Sequence, residues 1–205
     1  ILKHFLLGSA TWDLGIFEQF SWLIAYKGIN SVSSLRGVSP LQDHFSLLLI
    51  PIAFIYKIFP STYTLLIIQS IALGSLPFIA VHDRGQNKLY FSLIIAIILS
   101  PIIFLANLAN FHPEVVSAPF MLYAIKETTK KRSFPYYFFF ILSLAAKKSQ
   151  VLFGIGLGFY SLLKHNYKRS FITFFISILW WIISSKYSAI SGDYISERLG
   201  YLGES

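Results

Sequence analysis

Apolar residues fill this chain in runs near one bilayer in length, and short polar segments separate them. Thr62–Val81 is the cleanest run, 20 residues without a charge. At roughly 1.5 Å per residue that is about one hydrocarbon thickness. Residues 89–106 form a second run, and 171–183 continues through 184–190 as a third. Four pieces are shorter. Residues 45–59 contain Pro51 and Lys57 and stop at Pro60-Ser61; residues 115–125 follow a polar segment, 107–114. Residues 135–146 and 151–163 flank Lys147-Lys148-Ser149-Gln150.

The N-terminal part is patterned differently. Leu14, Ile16, Phe17, Phe20, Leu23 and Ile24 recur with helical spacing among Asp13, Gln19 and Lys27, and Trp12, Trp22 and Tyr26 join them. Gly28 fits a helix C-cap. Such a helix would lie in the interface rather than cross it. Residues 28–42, rich in Ser, Gly and Asn, read as loop. The expected fold is all-α: a polytopic transmembrane bundle with a membrane-parallel helix in an external loop, residues 11–46.

Composition agrees with that pattern. Of 205 residues, 55% are hydrophobic and only 13% charged, against about 25% charged in a soluble domain. Mean hydropathy is +0.63. The net charge of +8 sits in short loops between apolar runs, not on an aromatic-studded face, so it speaks for topology and against nucleic acid. With no cysteine, disulfides, thiolate metal sites and cysteine nucleophiles are excluded. Residues 1–10 are too short to span and read as the outer end of an earlier helix. The chain is expected to be one integral membrane domain, 1–205, cut from a longer protein.

Loop charge orients the bundle. Loops 82–88, 126–132 and 164–169 carry two, four and three Lys or Arg, and 107–114 carries none. The basic loops are expected in the cytoplasm, with 107–114 and 147–150 as outward hairpin tips. The arms of those hairpins are short, so the tips would sit in a polar cavity within the membrane. An odd number of crossings between 44 and 82 then makes 45–59 re-entrant or interfacial and Thr62–Val81 the crossing. The alternative, in which both cross, would invert everything downstream.

Few residues can do chemistry. Asp13 is a helix cap or a general base at the cavity mouth; Glu18 reads as a solvated charge. Asp43-His44 reads as a cap or as a divalent-metal or phosphate site. His112-Pro113-Glu114 starts a helix, yet places an ionisable pair between apolar runs. Lys147 and Lys148 either snorkel or meet a lipid phosphate. Asp43, His44, His112 and Glu114 together are candidate ligands for Mg, Mn or Zn. Gly154, Gly156 and Gly158 follow no strand, so close helix packing explains them better than a nucleotide loop.

DLGIFEQFSW at 13–22, DHFS at 43–46, NLANFHPE at 107–114 and the lysine-tipped hairpin ending GLGFYSLL at 156–163 resemble the domain of unknown function 2079 family. The resemblance runs in order through nearly the whole chain. It implies prokaryotic polytopic proteins of the inner membrane, grouped with the GT-C glycosyltransferases. These have membrane-parallel helices in the first external loop and take sugars from polyprenyl-phosphate donors. It puts Asp13 in the place of the acidic residue of that loop, Asp43-His44 at the charged start of its second half, and Lys147 at the donor phosphate. The chain departs from the pattern at Asn110, where Asp is expected, and at Lys148-Ser149, where Glu-Asp is expected. Both changes remove carboxylates and weaken the metal reading. The implied activity is glycosyl transfer; the competing reading is a non-enzymatic transporter or lipid or polymer assembly protein. Transporters tend to show repeated broken helices, and no convincing repeat is found here.

Overall fold

A computed structural model describes residues 11–81, 88–108, 110–130 and 133–188. All secondary structure among them is helical. The expected remnant of a first helix at 1–10, most of loop 82–88, and Lys131 and Arg132 lie outside the described residues, so the loop-charge orientation is only partly placed.

Helix α1, Thr11–Tyr26, buries Leu14, Ile16, Phe17, Phe20 and Leu23 along one stripe and leaves Trp12, Trp22 and Tyr26 exposed. It ends as its sequence suggests. Gly28 takes φ +101° and donates its N–H to the Leu23 carbonyl at 2.8 Å, a closure that a side chain at 28 would strain. Helix α2, Pro40–His44, is a single turn. Helix α3, Leu49–Ile58, is apolar but only 10 residues long, and it packs on α1. Its length agrees with a non-crossing segment for 45–59.

Helix α4, Thr62–Val81, keeps the predicted bounds and, among the described residues, is one of two helices long and apolar enough to cross a membrane. The expected span 89–106 is instead two helices, α5, Lys88–Ile98, and α6, Pro101–Leu108, bent by 43° at the break. Pro101 explains the break. It lacks an N–H for the helical ladder and pushes Ser100 before it out of the helical region. The apolar piece 115–125 is likewise two helices, α7, Pro113–Val116, and α8, Ala118–Glu127.

The lysine-tipped hairpin forms as expected. Helix α9, Ser133–Leu144, leads to a short 3-10 turn, Lys148–Gln150, and then to α10, Val151–Leu163. Both arms are too short to cross alone. Helix α11, Tyr167–Tyr187, is the second membrane-length helix and packs along α10. It starts inside the expected loop 164–169, because the Asn166 side chain caps it by accepting from the Arg169 N–H.

Two of the three glycines justify close packing. A Cβ on Gly154 would strike Ser177 and Phe140, and one on Gly158 would come within 2.6 Å of the Phe174 ring. Gly156 faces open space, so packing does not account for it.

The two cores meet at the C-terminal end of α9. Phe17, Phe20, Leu49, Leu65, Phe111 and Ala146 belong to one cluster, and Tyr136, Phe140, Leu144 and Leu157 to the other. The Leu48 N–H donates to the Ala145 carbonyl at 2.9 Å. That bond ties the first loop to the hairpin tip and brings the candidate site residues together.

Candidate functional site: an ionic cleft at two hairpin tips

Asp13 lies in the first turn of α1, half-exposed. Its Oδ2 is 4.0 Å from His112 Nε2, and His112 Nδ1 is 4.0 Å from Glu114 Oε1. Glu114 then accepts from Lys147 Nζ at 2.9 Å. Asp13, His112, Glu114 and Lys147 thus form one chain of charge across three elements. Burial pushes the Glu114 carboxyl up, but the bonded Lys147 ammonium, with His112 nearby, pulls it net below the ordinary glutamate value.

Asp43 is not the cap that its position suggests. Ser39 occupies that place before α2, with its N–H donating to Gln42 Oε1 at 3.0 Å and Pro40 opening the helix. The Asp43 side chain is instead buried and gripped by Arg36, whose Nε and Nη2 reach its two oxygens at 3.1 and 3.0 Å. His44 Nδ1 lies 2.9 Å from Asp43 Oδ2 but makes no directed hydrogen bond. Burial raises the Asp43 carboxyl, and the adjacent His44 and Arg36 lower it further, leaving it below the ordinary range.

Arg36 carries no motif and was not foreseen, although it is the only arginine in residues 11–46. The loop around it is folded by short polar bonds. Ser33 donates to Gln19 Oε1, Gln19 Nε2 donates to Ser34 Oγ at 2.6 Å, and the Arg36 N–H donates to Ser33 Oγ at 3.1 Å. Glu18, expected to be solvated, accepts from the Tyr56 hydroxyl at 3.2 Å and ties α1 to α3.

Phe17 separates the two charged groups. Its ring centroid is 5.2 Å from His44 and 6.0 Å from His112. Beside both groups opens a cleft of about 910 Å³. Asp13, Arg36, Asp43, His44, Lys147, Lys148 and Ser149 form its polar side. Trp12, Ile16, Val151, Leu152, Ile155, Ile178 and Trp181 form its apolar side. His112 and Glu114 stand behind Asp13 and Lys147 and do not line it. Lys148 lines the cleft and makes no ion pair with any described residue.

The far wall belongs to α11. Phe45, at φ 42°, stacks on Tyr187 with ring centroids 5.7 Å apart and meets Trp180 edge-on at 5.5 Å. Trp180 and Tyr187 thus join α11 to the first loop.

The four candidate metal ligands are not gathered into one set. Among the described residues no three His, Asp or Glu side chains are arranged to hold an ion. Asp43 and His44 stand apart from His112 and Glu114, and each pair's carboxylate is already neutralised, by Arg36 and by Lys147. A carboxylate holding a cation this closely is a poor ligand for a second one. The residues do not fit a divalent metal shared by all four.

Comparison with known proteins agrees with the membrane pattern. Residues 3–190 match a family described as predicted membrane protein (DUF2079). The chain belongs to that family. No curated protein and no solved structure matches it. As a DUF2079 protein with two membrane-length helices and a bent pair that would make a third, it presents its exposed apolar helix faces to lipid. The family name carries no activity, so function has to be argued from the cleft.

Proposed function

We propose that this DUF2079 protein is a multi-pass inner-membrane glycosyltransferase that takes a sugar from a polyprenyl-phosphate donor on the extracytoplasmic side. In this reading residues 1–205 are one integral membrane domain, and 11–46 form the external loop over the site. The observation that carries it is the mixed lining of the cleft: apolar side chains from α1, α10 and α11 share it with Asp13, two paired cations and the cation Lys148. An amphiphile with an anionic head and an apolar tail matches both sets of side chains at once.

The chemistry follows from charge. An acceptor hydroxyl attacks the anomeric carbon, and the bond from that carbon to the phosphate oxygen breaks, inverting its configuration. Asp13, facing the cleft, takes the hydroxyl proton. His112 and Glu114 behind it hold Asp13 and Lys147 in one electrostatic frame. The leaving polyprenyl phosphate gains charge as the bond breaks, and Lys148, with Lys147 beside it, stabilises that charge. Arg36 keeps Asp43 ionised and fixed, so the loop wall stays in place. No metal step is needed.

The test is turnover in nanodiscs with a radiolabelled polyprenyl-phosphate sugar and a lipid or glycan acceptor pool. Label should pass to acceptor with wild type and not with Asp13→Asn. Equal transfer by Asp13→Asn would contradict Asp13 as base.

A further inference from the structure

Gln69 is a polar residue in the middle of α4, 1% exposed and surrounded by apolar side chains. A bare amide there would be costly, yet this one is satisfied at both ends. Its Oε1 accepts the His112 N–H at 2.9 Å. Its Nε2 donates to the Ala106 carbonyl at 3.2 Å and the Asn110 carbonyl at 3.4 Å. Next to it, Ser70 Oγ donates to Asn107 Oδ1 at 2.8 Å. These bonds go to the last turn of α6, at Ala106 and Asn107, and to Asn110 and His112 before α7. Non-helical backbone inside a membrane protein has to be satisfied by other protein groups.

We infer that Gln69 is the positioning residue of the site: by holding the backbone of Ala106, Asn110 and His112 it sets His112 against Asp13. Its partners are chosen for that purpose. One amide face reads the N–H of the residue whose ring contacts Asp13; the other reads carbonyls before it. Helix α4 is membrane-length, with Gln69 about two turns before its internal Pro77, and so offers a longer mount than α7, a single turn that cannot hold its own start. The role as a site element rests on the proposed transfer reaction, but the geometry does not.

The 205 residues hold no cysteine, so pairs can be introduced cleanly into this chain in nanodiscs. Asp13→Cys with His112→Cys reports the site distance through a short bis-thiosulfonate reagent. Tyr123→Cys with Phe139→Cys, whose rings stack at 4.7 Å, reports the packing of α8 on α9. Adding Gln69→Met should lower the first cross-link at least about fivefold, as loss of a net hydrogen bond predicts, and leave the second unchanged. Gln69→Glu, protonated in this apolar setting, keeps one donor and one acceptor and should restore the first cross-link. Unchanged cross-linking in Gln69→Met would overturn the proposal. Loss of both cross-links together would also overturn it, since Gln69 would then hold the bundle and not the site. Because turnover is not the read-out, failure here leaves the transfer reaction standing, and failure of transfer leaves this result intact.

Discussion

Two charged clusters sit at opposite ends of α9, about 18 Å apart by its length, and they handle buried charge in opposite ways. At the start of α9, Arg169 is 4% exposed, donates to the carbonyls of Glu127, Thr128 and Lys130, and lies 4.8 Å over the Tyr136 ring. Tyr136 in turn shares a bond of 2.8 Å with Thr173. Its guanidinium therefore caps the carbonyl end of α8, where a cation also complements the helix dipole. At the other end, Lys147 and Glu114 neutralise each other and a cleft opens alongside. Each end keeps one buried carboxylate oxygen without a hydrogen-bond partner among the described residues, Glu127 Oε2 and Glu114 Oε2, so the cleft is what sets the two apart. Charge closed off by fixed backbone carbonyls is a clamp. Charge that lines a cavity, as Asp13, Lys147 and Lys148 do, is where a ligand can act.

That contrast is open to attack, starting with the largest effect. Asp13→Asn should lower sugar transfer by about 10²- to 10⁴-fold, the range for a lost general base, with the melting temperature in detergent unchanged. Arg169→Met should do the reverse. It strands carbonyls of residues 127–130 and should destabilise the protein by about 3 kcal/mol in thermal melts, with per-molecule transfer preserved in the folded fraction. A transfer loss from Arg169→Met with no stability loss would erase the distinction between the two ends.

The glycines of α10 come next. Gly154→Ala and Gly158→Ala should each cost about 1–3 kcal/mol by overpacking against α9 and α11, read by the same melts. Gly156→Ala should be neutral or stabilising by up to about 1 kcal/mol, since its Cβ meets nothing.

The smallest effect is in acid. Glu114 is held below the ordinary 4.5, so its ionised form favours the folded state. Its contribution is fully present above pH 4.5 and is lost as pH falls through the lower folded value. Melts from about pH 6 to about pH 3 should show that loss in wild type and less of it in Lys147→Met, whose carboxylate has lost its counter-charge.

What the chain discloses and what it hides divide along the same line. Bounds set by local chemistry were readable: the stripe of α1 and its Gly28 stop, the uncharged run of α4, and the lysine tip between two short arms. Pro101 was visible as well, and its effect on the span 89–106 was underrated, because apolar length outweighed the missing N–H. Bringing Asp13 near His112 required no more than both being hairpin-mouth residues. The rest depended on partners far apart in sequence. Asp43 looked like a cap because nothing nearby shows that Arg36 will fold back onto it. Gln69 has no local signal at all, since its three partners lie about forty positions away. The four-residue metal set failed for the same reason: cations from other elements had already taken the carboxylates.

The most direct test of the cleft as a lipid-phosphate site is equilibrium binding of polyprenyl phosphate against the matching polyprenol, in nanodiscs, to wild type and Lys148→Ala. The phosphate should bind wild type at least about tenfold tighter than the alcohol, a difference of about 1.4 kcal/mol, and Lys148→Ala should largely erase that gap. Equal affinity of wild type for the two lipids, or a full gap in Lys148→Ala, would contradict it.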